Sequence, residues 1–139
     1  MYVDNTLEVS DAQALTASAA STDVVDLGSD RDIGQGKTIY LVVTVDVAAD
    51  GTTADETYTV AIQTDDNSGF SSATTLTTVT IPRGTAAGAM FVIPMPYGNE
   101  RYLRAYYTLG GTTPTVTLSA HFTDQEPYSW QAYADGSAP

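Results

Sequence analysis

Few residues in this chain have the types and spacing that catalysis requires. Attack by a side-chain nucleophile needs a reactive hydroxyl or thiol beside a proton acceptor. The chain has no cysteine and a single histidine, His121, and none of its serines sits in a Gly-x-Ser-x-Gly elbow. His121 falls in the polar register of a strand pattern, where a histidine is ordinary solvated surface. Paired carboxylates are more numerous: Asp65 with Asp66, Asp55 with Glu56, and Asp30 with Asp32. Two carboxylates suffice for glycoside hydrolysis, yet each pair lies among turn residues, where acids serve as turn formers. The one tryptophan that could act as a sugar platform, Trp130, stands in the last residues of the chain. The run Asp65-Asp66-Asn67-Ser68-Gly69 has the closely spaced oxygens that calcium prefers. It lacks the third acid and the closing glutamate of the helix–loop–helix calcium motif, so it reads better as a hairpin connection. A phosphate loop of the Gly-x-x-x-x-Gly-Lys type is absent. No catalytic residue, cofactor or metal ligand is expected.

The residues that stand out are those of protein interfaces. Tyr97, Tyr102, Tyr106 and Tyr107 gather around Arg101 and Arg104, two of only four arginines. Over Arg101–Leu109, alternation turns Leu103, Ala105 and Tyr107 inward and leaves Tyr102, Arg104 and Tyr106 on one outer face. Tyrosine and arginine carry interfaces because they bury much area at little entropic cost. Tyr2 and, in the final segment, Tyr128, Trp130 and Tyr133 extend the set of interface candidates. An aromatic tail left free would expose apolar surface without benefit, so the tail is expected to dock on something.

Strands must position these residues, because period-two alternation dominates. Ile39, Leu41, Val43, Val45 and Val47 share one face, with Tyr40, Val42, Thr44 and Asp46 on the other. Tyr58, Val60 and Ile62 alternate with Thr57, Thr59, Ala61 and Gln63, and Val116, Leu118, Ala120 and Phe122 alternate with Thr115, Thr117, Ser119 and His121. Further strands are expected near Leu7–Val9, Thr22–Leu27, Thr75–Ile81, Ala89–Met95 and Arg101–Leu109, separated by Gly-, Asn- and Asp-rich turns. About eight strands at this spacing predict an all-β antiparallel sandwich of the jelly-roll type, in a single domain over 1–139. The small residues of Ser10–Ala20 lack a broad apolar stripe and predict an extended arm or short strand, with one helical turn open. Residues 1–20 are thus read as an N-terminal arm and 124–139 as a C-terminal tail.

Charge narrows the partners. Seventeen acids against five bases give a net charge of −12. A field of that sign repels phosphate backbones and anionic lipid, so neither nucleic acid nor membrane is expected as a partner. The opening Met1-Tyr2-Val3-Asp4-Asn5 lacks the basic and apolar runs of a signal peptide. The longest apolar stretch, 39–45, falls well short of the about 20 residues that span a bilayer. The absence of cysteine fits synthesis and use in a cytoplasm.

The same segments resemble the jelly-roll capsid cement (decoration) proteins of tailed bacteriophages. The resemblance is carried by Met1-Tyr2-Val3-Asp4, Ser10-Asp11-Ala12-Gln13-Ala14, Asp26-Leu27-Gly28, Arg31-Asp32-Ile33-Gly34 and the strand 39–47. The run from Gln63 to Ala73 and Glu100-Arg101-Tyr102-Leu103-Arg104 are particularly similar. It spans most of the chain, through Phe122, and leaves the tail after Asp124 without a counterpart. It implies a structural virion protein made in the bacterial cytoplasm. That protein would bind the outer surface of the head and stabilise the capsid by bridging neighbouring major capsid protein subunits, as a homo-oligomer. Residues 1–20 and the aromatic tail are expected to make subunit or capsid contacts, and deleting Met1 to Asp11 is expected to weaken head binding while leaving the sandwich folded. A dimer is favoured, through pairing of the Tyr/Arg face across a two-fold axis, with a trimer as the alternative. A carbohydrate-binding β-sandwich module, a phage tail or fibre component and a small paired-acid hydrolase are the competing classes.

Overall fold

The computed structural model describes residues 3–33 and 35–125. Alternating sequence becomes sheet throughout, and the described residues contain no helix. The strands are β1 (Glu8–Leu15), β2 (Ala19–Ala20), β3 (Val25–Asp26), β4 (Tyr40–Val47), β5 (Thr57–Asp65), β6 (Thr74–Ile81), β7 (Met90–Pro94), β8 (Tyr102–Gly110) and β9 (Val116–Thr123). They form two antiparallel sheets, one in the order β1-β9-β4-β7 and the other β2-β8-β5-β6, with β3 beside β2 on the same edge of β8. Apart from the β2–β3 step and the β5–β6 hairpin, every connection crosses from one sheet to the other. With β2 and β3 sharing a position, this eight-place order is the double Greek key of a jelly-roll sandwich.

The inward registers of both sheets meet in one core. Leu41, Val43 and Val45 of β4 and Leu118, Ala120 and Phe122 of β9 face Tyr58, Val60 and Ile62 of β5 and Leu103, Ala105 and Tyr107 of β8. Alternation predicts each of these inward positions. Each large aliphatic side chain buried here contributes roughly 1.5–3 kcal/mol.

The segment read as an arm is mostly built into the sandwich. β1 pairs with β9 from Glu8 to Leu15, and Val9, Ser10 and Leu15 are buried. β2 then crosses to pair with β8. Two register breaks interrupt β1, around a positive φ of 46° at Ala12. These bulges hide the strand from a periodicity reading, because they shift the side-chain phase within eight residues. A buried polar chain pins the segment: the Tyr107 hydroxyl bonds to Ser10 Oγ at 2.7 Å, Ser10 Oγ donates to Gln13 Oε1 at 2.7 Å, and Gln13 Nε2 donates to the Ala20 carbonyl at 2.9 Å. Desolvation pushes the Tyr107 phenol up to about 12, so it stays a neutral partner. Removing residues 1–11 would take away half of β1 with the buried Val9 and Ser10, so the segment is a paired strand of the sandwich rather than a free arm, and its deletion is expected to cost stability.

Candidate functional site

The outer face of the five-stranded sheet brings the predicted Tyr/Arg residues together. Tyr102, Arg104 and Tyr106 alternate with the buried Leu103, Ala105 and Tyr107, and all three are half-buried rather than free. Their cross-strand neighbours on β5 are Asp65, Gln63 and Ala61. Arg104 is fixed from two sides. Its Nε and Nη2 donate to Gln63 Oε1 at 2.9 and 2.8 Å, and its guanidinium carbon stands 4.1 Å from the Phe70 ring centre and 5.4 Å from that of Tyr106. Phe70 meets Tyr102 edge-on at 6.5 Å, and the Arg101 guanidinium carbon lies 4.9 Å from the centre of the Tyr102 ring. Arg101 in turn donates to both carboxylate oxygens of Asp26 at 2.8 and 3.2 Å. The result is a continuous stack, Tyr106–Arg104–Phe70–Tyr102–Arg101–Asp26.

Sequence reasoning missed Phe70. It comes from the β5–β6 hairpin, where a turn closed by its amide donating to the Asn67 carbonyl holds it at φ 52°. The hairpin itself is where the sequence placed it. A Phe at a strained turn position between polar residues is the signal that was available, since apolar bulk in a turn is retained only where something covers it. Chemically the stack can do one thing well. It presents rigid, pre-ordered aromatic and guanidinium area, so little rotamer entropy remains to be lost when a surface docks there.

The carboxylate pairs serve mainly as loop clamps. Asp55 accepts from Thr53 Oγ1 at 2.6 Å and from the Thr112 amide and hydroxyl, which holds its carboxyl down at about 2. Glu56 is buried, with Oε1 accepting from the Thr53 amide and hydroxyl and Oε2 without a partner among the described residues. Asp30 and Asp32 are exposed, and neighbouring Asn99 ties their loop down by accepting from the Ile33 amide and donating to the Arg31 carbonyl. Asp65 caps the hairpin, accepting from the amides of Asn67 at 3.1 Å and Ser72 at 2.8 Å, and the latter bond chiefly lowers its pKa. The adjoining Asp65 carboxylate raises that of Asp66. Glu100, far away in sequence, completes a group whose ligand oxygens all lie within 4.8 Å of one another. These three are the residues that could hold a hard cation.

On the outer face of the other sheet, His121 is not the solvated residue its register predicts. It is only 7% exposed, beside a fully buried Val42, with Glu8 as its neighbour on β1. Val42, apolar in a polar register, was the sequence signal that this face is covered. Among the described residues Nε2 of His121 has no partner, and burial lowers its pKa below the ordinary 6.5. The folded state therefore resists protonation more than the unfolded chain does. Stability from this group is fully present above pH 6.5 and falls as pH drops through 6.5 toward the lower folded value. In urea titrations the stability of His121→Leu relative to wild type should rise between pH 7.5 and 5. A pH-independent difference would show that His121 does not titrate differently on folding.

An apolar cleft of about 420 Å³ opens at one end of the sandwich, lined by Leu7, Val25, Leu27, Ile33, Ile39, Leu103 and Phe122, with Asp4, Asp124 and Gln125 beside them. The remaining interface candidates, Tyr2, Tyr128, Trp130 and Tyr133, lie outside the described residues, as does the tail after Gln125. No curated protein gives a significant match to the chain. The model of the Bbp16 family matches residues 9–122, from the second residue of β1 to the last but one of β9. A match over that much of the chain places it in a family: the protein belongs to the Bbp16 family.

Proposed function

We propose that this protein is a structural component of a bacteriophage head, a cement protein that binds the outer capsid surface and bridges neighbouring major capsid protein subunits. The observation that carries the reading is the pre-ordered stack of Tyr102, Arg104, Tyr106 and Phe70 on the outer face of the five-stranded sheet. Such a face suits protein docking and needs no chemistry. The sequence resemblance to jelly-roll decoration proteins supports the head as the partner. The net charge of −12 favours the outside of the shell over the wall facing packaged DNA. Cementing follows by mass action, because a subunit that binds the assembled lattice and not free capsid protein stabilises the lattice. Co-sedimentation of the purified protein with mature heads stripped of it tests this reading. Saturable binding that raises the temperature of head disruption is expected, and absence of binding to any shell form would exclude it.

One observation favours a second reading. The Asp65, Asp66 and Glu100 oxygens could hold calcium, as in a calcium-dependent carbohydrate-binding module. Under the cement reading the melting temperature is indifferent to calcium and chelator at millimolar concentration. A calcium-dependent rise, lost in Asp65→Asn, would shift the balance to the module.

A further inference from the structure

The outer face of the four-stranded sheet is drier than a sheet face turned to solvent should be. One row of residues crosses all four strands in register. Glu8 of β1 stands opposite His121 of β9, His121 opposite Val42 of β4, and Val42 opposite Val92 of β7. The two central members are buried, Val42 completely and His121 to 7% exposure, and Thr123, the next outward residue of β9, is 8% exposed. Val42 is not one of the core side chains, which on these two strands are the inward Leu41, Val43, Val45, Leu118, Ala120 and Phe122. Side chains on a strand stand roughly perpendicular to the sheet. The same-face neighbours of Val42, which are Tyr40, Thr44, His121 and Val92, therefore stand beside it and do not roof it. Its full burial requires a cover.

The way the chain leaves β9 points to that cover. β9 lies inside this sheet, between β1 and β4. Just past it the Gln125 amide donates to Thr123 Oγ1 at 3.1 Å. Thr123 is an outward residue, since Phe122 before it faces the core, so this bond turns the departing chain toward the outer face. Fourteen residues follow Gln125, with Tyr128 and Trp130 two positions apart. In an extended segment such residues project to the same side. The five residues from Gln125 to Trp130 reach about 17 Å when extended. The row lies only about 7 Å back along β9 from Thr123, and four strands span about 14 Å.

We infer that residues 126–139 fold back over the four-stranded sheet of their own chain, and that Tyr128 and Trp130 seat on the His121–Val42 row. Two other seats fit less well. The apolar cleft at the end of the sandwich also lies beside Gln125, but its walls Leu7, Leu27, Ile33 and Ile39 are only half-buried, whereas the row is already dry. The same face of a second copy is disfavoured by charge. The segment carries Glu126 and Asp135 and no base, and a second copy brings a net charge of −12. The tether, by contrast, holds the segment beside its own face at an effective concentration on the order of millimolar. Seated there, the two aromatics close this face to partners and leave Tyr102, Arg104 and Tyr106 as the uncovered surface. The inference stands whatever that surface binds.

Trp130 is the only tryptophan and His121 the only histidine, so segment and face each carry a unique reporter in the full-length chain. Trp130 emission is expected at short wavelength and shielded from acrylamide. Val92→Glu puts a charge into the row at a half-buried position outside the core. It should shift the emission to the red and restore quenching, with the far-ultraviolet circular dichroism unchanged. Reciprocally, Tyr128→Ser/Trp130→Ser should make His121 react several-fold faster with diethylpyrocarbonate, because the cover is gone. That variant touches no residue of the sandwich, so it reads the cover even where Val92→Glu fails to fold. A solvent-exposed Trp130 in the wild type overturns the inference, as does equal His121 reactivity with and without the two aromatics. Release of Trp130 by Ile33→Asn and not by Val92→Glu would seat the segment in the cleft. Recovery of the short-wavelength emission when Val92→Glu is refolded with excess Trp130→Phe chains would seat it on a second copy. Either result also overturns the inference.

Discussion

Gly111→Ala is expected to be among the most damaging single substitutions in this protein, removing on the order of 3–5 kcal/mol of the roughly 5–15 kcal/mol that holds a small domain folded. Gly111 leads out of β8 with φ +92°, and a methyl group there would meet the Asp55 carbonyl oxygen at 2.4 Å, its carbon at 2.7 Å and Glu56 Cα at 2.7 Å. All three are backbone atoms in the loop clamped by Thr53, Asp55 and Thr112, so nothing can swing aside. Moving that loop would also disturb the buried Glu56, whose carboxylate accepts hydrogen bonds from Thr53. Gly88 provides an internal control. It has the same φ of +92° and nothing within 4 Å of a would-be methyl. Gly88→Ala should therefore cost only the left-handed backbone penalty, about 1–2 kcal/mol. Urea unfolding midpoints of the two variants measure the difference directly. Equal losses would mean that the close approach of 110–112 to 55–56 is not a feature of the fold.

The largest effect on binding is expected from Arg104. Truncation to alanine removes the central member of the stack, uncovers Phe70 and leaves Gln63 Oε1 without its two donors. A central anchor of this kind is worth about 2 kcal/mol or more in an interface, a loss of about 30-fold in affinity for stripped heads. The stability cost should be smaller, about 1 kcal/mol, because the side chain is half-exposed and its cation–π contacts are individually modest. Arg104→Lys keeps the charge but loses the planar stacking and the forked bond to Gln63, so it should bind nearly as poorly as alanine. Arg31→Ala makes the same change in net charge at an exposed loop where the side chain hydrogen-bonds to Ser29 Oγ, and should bind normally. Equal losses from Arg31→Ala and Arg104→Ala would mean that charge alone, and not the stack, drives binding.

What was legible in the sequence follows from where water stands. β4, β5, β8 and β9 each carry one dry face, so alternation reveals their strands and inward residues, including Leu103, Ala105 and Tyr107. The outward grouping of Tyr102, Arg104 and Tyr106 is legible for the same reason. β1 was legible only in part: a strand near Leu7–Val9 and an extended arm or short strand over Ser10–Ala20 were expected, and the bulges around Ala12 hid the single eight-residue strand that runs through both. Burial of His121 depends on what covers a sheet face, a tertiary property of which only Val42 gave a hint. Phe70 beneath Arg104 and Glu100 beside Asp65 and Asp66 are contacts between segments 34 or more residues apart in chain order. Local pattern cannot supply them, since they exist only after the two-sheet topology has closed.

The central claim, that this protein coats a phage head, is tested most directly by counting it. Quantitative mass spectrometry of purified particles of the source virus would give its copy number relative to the major capsid protein. A simple stoichiometric ratio to that protein is the predicted result, and it would mean that the Tyr/Arg face meets a repeated site on the shell. A handful of copies per particle would move the protein to the tail or a fibre, and complete absence from particles would contradict the account.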